Sequence, residues 1–173
     1  MSADSREHRQ SLELIAFIRE NQERFYRMAY SYVKNQETAL DLVQDAIVQA
    51  LQKRHTLREP EHMKSWFYRI LINECLACLR REKRRQRFLF RWEPGGEENG
   101  LQQGAAELSR DTSMDLYAAL EQLSPEMKTV ILLRFFEDMK LEEMAEVLGV
   151  NVNTVKSRLY RALRLLKADL EVE

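Results

Sequence analysis

Glycine, proline, cysteine and histidine are all scarce in this chain of 173 residues, with 5, 3, 2 and 3 copies respectively. So few turn-formers exclude a turn-rich all-β fold. Two cysteines do not make a disulfide framework, and His55 and His62 lack the usual zinc-ligand spacing from them. No apolar run approaches the roughly 18 residues of a transmembrane span. The polar start, Met1 to Gln10, lacks the apolar middle of a secretory signal. Phosphate loops, nucleophile elbows and glycine-rich cofactor turns are missing as well. The chain therefore reads as cytoplasmic and non-catalytic, with no cofactor and no metal. What it does have is 45% hydrophobic and 32% charged residues, the composition of an ordinary globular protein.

The formal net charge of −1 hides a division. Residues 1–91 carry 18 basic and 12 acidic side chains, residues 92–111 carry 1 and 5, and residues 112–173 carry 8 and 11. An asymmetry of that kind says more about partners than the overall isoelectric point does. The densest cluster is Arg80, Arg81, Lys83, Arg84, Arg85, Arg87 and Arg91, opposed only by Glu82.

Four of the five glycines, with Pro94 and several acids, fall between Glu93 and Thr112. Residues 92–112 accordingly read as a flexible linker between two domains, 1–91 and 113–173. Both domains read as helical, giving an all-α chain of two small bundles. In the first, helices are expected over Ser11–Val33, Glu37–Gln52 and Lys64–Arg85, with Asn35 as a break and His55–His62 as a loop. Leu40, Val43, Ile47, Ala50 and Leu51 form the expected apolar stripe of the second helix. In the second domain the expected helices are Met114–Leu123, Glu126–Phe136, Leu141–Leu148 and Thr154–Leu170. Ser124-Pro125-Glu126 reads as a cap followed by proline in the first turn. Gly149 sits where a left-handed turn residue belongs, and either Asn151 or Asn153 can cap the last helix.

Lys140–Ala162 has the parts of a helix-turn-helix: a short amphipathic helix, a glycine turn and a second amphipathic helix. On the second helix Val155, Leu159, Ala162 and Leu166 form one stripe. Thr154, Ser157, Arg158 and Arg161 lie roughly opposite, with Lys156 and Arg164 on the flanks. Arginine can bridge guanine O6 and N7, hydroxyls can donate or accept, and flanking cations can hold phosphates. An αα-hairpin that uses the same turn for packing alone is the competing reading.

The Lys64–Arg85 helix also sorts its residues. Phe67, Leu71, Cys75 and Cys78 share a core-like face, whereas Trp66, Arg69, Asn73, Arg80 and Arg84 cluster on another. An aromatic, an amide and several arginines along one edge suit a strand of nucleic acid. Trp66 is equally suited to covering the core while the arginines face water. Cys75 and Cys78 lie inside the helix, away from the N-terminus that would stabilise a thiolate, and read as structural thiols. Asp41, Gln44 and Asp45 line a polar edge without converging histidines, so they form no catalytic centre.

Taken together, these residues resemble a bacterial sigma factor of the extracytoplasmic-function type, group IV of the sigma-70 family. Asp41-Leu-Val-Gln-Asp45, Lys64-Ser-Trp-Phe-Tyr-Arg-Ile-Leu-Ile-Asn73 and Leu79-Arg-Arg81 look like its region two. Leu123-Ser-Pro-Glu126, Leu132-Leu-Arg134, Leu141–Gly149 and Thr154–Ala162 look like region four. The resemblance implies a transcription initiation factor that binds core RNA polymerase and directs it to promoter DNA. It implies that Asp41, Leu42, Gln44 and Asp45 contact the clamp of the largest subunit, and that Leu133 and Phe136 face the flap of the second-largest. Lys64, Trp66, Arg69, Asn73, Arg80, Arg81 and Arg84, with the His55–His62 loop, would open and hold the −10 element. Asn153, Thr154, Lys156, Ser157, Arg158, Arg161 and Arg164 would read the −35 element, and the linker would lie in the RNA exit path. An anti-sigma factor, commonly a membrane protein with a cytoplasmic binding domain, would bind the chain 1:1 and hold it at the inner face of the membrane; the free chain would be a monomer.

The sequence departs from the family pattern at two places. Asn153 stands at a turn position where many relatives carry glycine, and Ala77 where many carry aspartate. Two other readings compete: a stand-alone two-domain transcription regulator, and a helical mimic that titrates an inhibitor. The basic faces on both domains argue against the mimic.

Overall fold

Lys34 and Asn35 make the first sharp turn of the chain. Lys34 takes a left-handed φ of 54°, which ends α1 (Ala3–Val33), and its N–H still reaches the Tyr30 carbonyl at 2.9 Å. Asn35 then opens α2 (Gln36–Gln52) by accepting the Thr38 N–H on its side-chain oxygen at 2.8 Å. Two short 3₁₀ turns, Arg54–Thr56 and Pro60–His62, lead into α3 (Met63–Trp92). These are α-helices and turns of a computed structural model that describes residues 3–92 and 113–171. The second group comprises α4 (Ser113–Glu121), α5 (Pro125–Ile131), a π-helical turn over Leu132–Phe136, α6 (Leu141–Leu148) and α7 (Val152–Glu171). Helices α1–α3 and α4–α7 belong to two separate compact units. The linker expected over 92–112 lies, apart from Trp92, outside the described residues.

Aromatic packing locks the first unit. Phe25 on α1 stacks on Phe67 of α3 with ring centroids 4.2 Å apart, and Tyr68 meets Phe25 edge-on at 5.5 Å. Phe17 adds contacts to both phenylalanines at 5.7 and 5.9 Å. Leu14, Met28, Leu71 and Ile72 are buried in the same core. Helix α2 contributes Ala39, Leu42, Val43, Ala46 and Ala50. That corrects the expected stripe: Leu40 is exposed, and Ile47 and Leu51 are half-buried. Three alanines let the α2 backbone come close to its neighbours, so packing selects the small residues and turns Leu40 and Val48 outward.

Both outer helices of this unit overrun their expected ends. Helix α1 starts at Ala3 rather than Ser11, and α3 continues to Trp92 rather than Arg85. Neither extra stretch contains glycine or proline, and arginine, glutamine and leucine are good helix formers. In the second unit, Ser124 accepts the Met127 N–H at 3.4 Å, as its capping pattern implies. The expected continuous helix to Phe136 instead widens after Ile131, where the Glu137 N–H bonds back to the Leu132 carbonyl at 3.1 Å. Asp138 with φ 52° and the Arg134 guanidinium, which donates to the Met139 carbonyl at 2.9 Å, fix the turn that follows.

Both tryptophans, Trp66 and Trp92, lie in α3, so tryptophan fluorescence reports the first unit alone. Phe25→Ala should destabilise that unit by about 3–5 kcal/mol. A urea titration followed by this fluorescence should show a clearly lower midpoint, while an unchanged midpoint would mean the aromatic lock is not the centre of the core.

Candidate nucleic-acid interfaces

The second unit presents α7 through the turn that precedes it. Gly149, with φ 64° and ψ 34°, closes α6 in the left-handed region, where the absence of a Cβ removes the steric cost. Asn151 is the residue that caps α7: its side-chain oxygen accepts the Thr154 N–H at 2.8 Å and the Thr154 hydroxyl at 3.1 Å. Asn153 is therefore not a turn residue. It lies in the first turn of α7, and its φ is not positive, so no glycine-like conformation is asked of it.

Val155, Leu159, Ala162 and Leu166 are buried, as the periodicity requires, and fix how the helix rolls. Asn153, Lys156, Ser157, Arg161 and Arg164 are consequently exposed, with Thr154 and Arg158 half-buried at the edges of the free face. Tyr160 is also exposed, between Lys156 and Arg164 along the helix. Residue type alone does not mark it, because tyrosine is intermediate between core and surface.

In the first unit, α3 buries Phe67, Tyr68, Leu71, Ile72 and Cys75 and turns Arg69, Asn73, Arg80, Arg81 and Arg84 to solvent. Lys64 and Trp66 are half-buried beside the preceding loop. Trp66 fits neither expected extreme, full core cover or a free ring. Its ring is half covered, and its indole N–H donates to the Thr56 hydroxyl at 3.0 Å, tying α3 to the loop. Gln10 ties the same loop to α1, its side-chain amide donating to the Leu57 carbonyl. Leu57 itself is buried, so the loop is anchored at its centre while His55 and His62 stay exposed. Nothing in the sequence pairs Gln10 with Leu57, since the contact joins residues 47 positions apart.

Two residues expected at a polymerase contact are in the wrong place for one. Leu42 is 3% exposed and Leu133 is 0% exposed, both inside the cores of their units. Asp41, Gln44 and Asp45 do lie exposed on one face of α2, and Leu40 and Val48 complete that face in Leu42's stead. Phe136 is exposed as expected, and Phe135 beside it is more so, at 59%. The π-helical turn accounts for this: its wider backbone swings both rings out while Leu132 and Leu133 stay inside.

The Cys75 thiol is pushed up to about 12, first by burial and then by Cys78 and Glu74 beside it. It is therefore neutral and unreactive at physiological pH, as a structural thiol should be; Cys78 is half-buried. Among the described residues no group of three or more histidines, cysteines or acids could hold a metal ion. Among them, too, no helix is long and apolar enough to cross a membrane.

Comparison with known proteins matches both units separately. Residues 17–85 match the family described as sigma-70 region 2, and residues 113–166 match sigma-70, region 4. RNA polymerase sigma factor SigV of Bacillus subtilis is 46% identical over 160 residues, covering 92% of each chain. The RNA polymerase sigma-E factor of Streptomyces coelicolor is 30% identical over 159 residues, 92% of this chain and 86% of its own. The sigma factor RpoE of Bartonella quintana, solved in complex with the anti-sigma factor NepR, superposes with a TM-score of 0.71 at 25% identity. That alignment covers 91% of this chain and 98% of RpoE.

The two asparagines near the start of α7 separate cleanly by substitution. Asn151→Ala should cost about 1 kcal/mol, the usual loss for a helix cap, whereas Asn153→Ala should leave stability nearly unchanged. Thermal unfolding followed by circular dichroism checks both; equal losses would return the cap to an open choice.

Proposed function

Because the chain belongs to the extracytoplasmic-function sigma factors of the sigma-70 family, we propose that it binds core RNA polymerase and directs it to promoters by reading two elements. Members of this family are non-catalytic, and the chain acts by binding. The observation that carries the proposal is that each matched region has its own exposed polar and cationic face, on α3 in one and α7 in the other. A lone helix-turn-helix protein needs only the second.

In this reading residues 1–91 form the unit that docks on polymerase and opens the −10 element. Arg69, Asn73, Arg80, Arg81 and Arg84 supply the strand-binding edge, with Lys64 and Trp66 next to the loop. Extruding a base costs a few kcal/mol. A loop already anchored through Gln10 and Trp66 loses little further freedom when it receives one, which lowers the ordering cost of that step. Residues 92–112 join this unit to the second, 113–173, where α7 enters the major groove at the −35 element. There Arg158 and Arg161 are placed for base edges, with Thr154, Ser157 and Asn153 beside them. Lys156 and Arg164 are placed for phosphates, and Tyr160 lies between them.

Docking on the polymerase clamp falls to Asp41, Gln44 and Asp45, framed by Leu40 and Val48. That is an acidic patch flanked by two apolar side chains, a charge pattern that can steer and orient a basic partner surface. Phe135 and Phe136 take the place of Leu133 for the flap. The superposition on a sigma factor solved with its anti-sigma partner supports a 1:1 inhibitory complex for this chain as well. An inhibitor anchored in the membrane would hold the cytoplasmic chain at its inner face until released.

Two variants divide the proposal into its parts. Arg158→Ala should weaken −35-dependent promoter binding by the holoenzyme about 5- to 100-fold, the range for losing a base-reading arginine, with core affinity unchanged. A mobility-shift assay giving equal promoter affinity would remove that assignment. Asp45→Arg should weaken core binding at least about tenfold by placing a cation where the partner expects an anion. An unchanged dissociation constant for core would remove α2 from the docking surface.

A further inference from the structure

The last seven residues of α3, Gln86–Trp92, lie beyond the region matched to sigma-70 region 2, which ends at residue 85. They continue as helix and carry a division of faces that the core does not demand, because none of the residues from 83 to 91 is buried. At roughly 100° per residue, Arg80, Lys83, Arg84, Arg87 and Arg91 fall within a single arc of about 100°. Phe88 and Phe90 stand about 80° to either side of its centre. Lys83, Arg84, Arg87 and Arg91 line one open groove along the helix with the two phenylalanines, and Arg80 lies one turn before it. Phe88 is 65% and Phe90 70% exposed, which is unusual for rings with no core to cover. Glu82, the one acid in Arg80–Trp92, is drawn away from the groove: it pairs with Arg85 at 3.0 Å on the other side of the helix.

We infer that this groove is a binding site for single-stranded DNA, continuing the edge formed by Asn73, Arg80 and Arg84. The inference rests on the function proposed above for that edge. From Arg80 to Arg91 the cations extend for roughly 16 Å along the helix axis, enough to follow several phosphates of one strand. Rings on both sides of a cationic track are what a single strand uses, because its bases are free to stack while its phosphates are neutralised. A duplex keeps its bases stacked internally and would leave both phenylalanines in water. A membrane surface fits less well. Phe88, Leu89 and Phe90 point about 100° apart in succession, so they form no single apolar face to sink into lipid.

The test uses the full-length chain, a fluorescent 15-mer of thymidine, the uridine 15-mer, and vesicles containing phosphatidylglycerol. Anisotropy titrations across a salt series should show binding of the DNA oligomer by the unaltered chain. Arg87→Ala combined with Arg91→Ala should lower the slope of log affinity against log salt by about 1.4, some 0.7 per lost phosphate contact. Phe88→Ala combined with Phe90→Ala should weaken binding at least about fivefold with the slope retained, as loss of stacking does. Circular dichroism confirms that these exposed positions leave the fold intact. Unchanged affinity and slope in both variants would overturn the site. Preference for the RNA oligomer would overturn it as a DNA site, and binding to vesicles without binding to oligomers would make it a lipid-facing helix. Core polymerase affinity is measured in parallel. Loss of the groove with normal core binding sinks this inference alone, whereas no core binding by the unaltered chain sinks the reading on which it rests.

Discussion

A helix can bury one stripe, and a bundle of three or four helices has no second layer to hide the rest. That constraint shapes both units of this protein. Phe25, Phe67 and Tyr68 fix the rotation of α1 and α3 about their own axes, and the rotation decides which residues face out. Once Phe67, Leu71 and Cys75 point inward, Arg69, Asn73 and Arg80 have nowhere to go but solvent. In α7 the stripe from Val155 to Leu166 does the same for Lys156, Ser157, Arg161 and Arg164. The exposed faces are thus set by the cores rather than built separately from them.

This coupling explains why the faces of α3 and α7 were legible in the sequence. Their apolar residues are large and regularly spaced, so the period of 3.6 residues points to one solution. Helix α2 was harder because its core stripe is largely alanine. Leu40 and Val48 carry a stronger hydrophobic signal than Ala39, Ala46 and Ala50, yet the alanines win because they permit close approach. Leu42 was expected at a contact only because the family resemblance implies one there, and it belongs to the same buried stripe as the alanines. Leu133 was likewise expected at a contact only from the resemblance, and the π-helical turn after Ile131, which no residue in the segment announces, keeps it inside. Gly149 was read correctly from its type alone, while the choice between Asn151 and Asn153 needed the hydrogen bonds. The anchoring of the loop by Gln10 and Trp66 was out of reach, since both contacts depend on how α1 and α3 come together.

Electrostatics follow the same division of space. The second unit carries an acidic balance overall, yet its cations concentrate on α7, where Lys156, Arg158, Arg161, Arg164 and Lys167 lie within 12 residues. Its acids lie largely elsewhere in the unit. In the first unit the order is reversed: acids mark the exposed face of α2 and cations the exposed face and far end of α3. One small unit thus presents an acidic and a basic surface on different helices, as the proposed contacts with polymerase and DNA require.

The central claim is that this chain gives polymerase its promoter preference, and run-off transcription tests it most directly. Purified chain is added to sigma-free core polymerase on a pool of genomic promoter fragments. Discrete transcripts that appear only when the chain is present, from templates sharing two spaced sequence elements, are the predicted result. No chain-dependent transcript, together with no binding to core, would contradict the account and leave a helical DNA-binding regulator in its place.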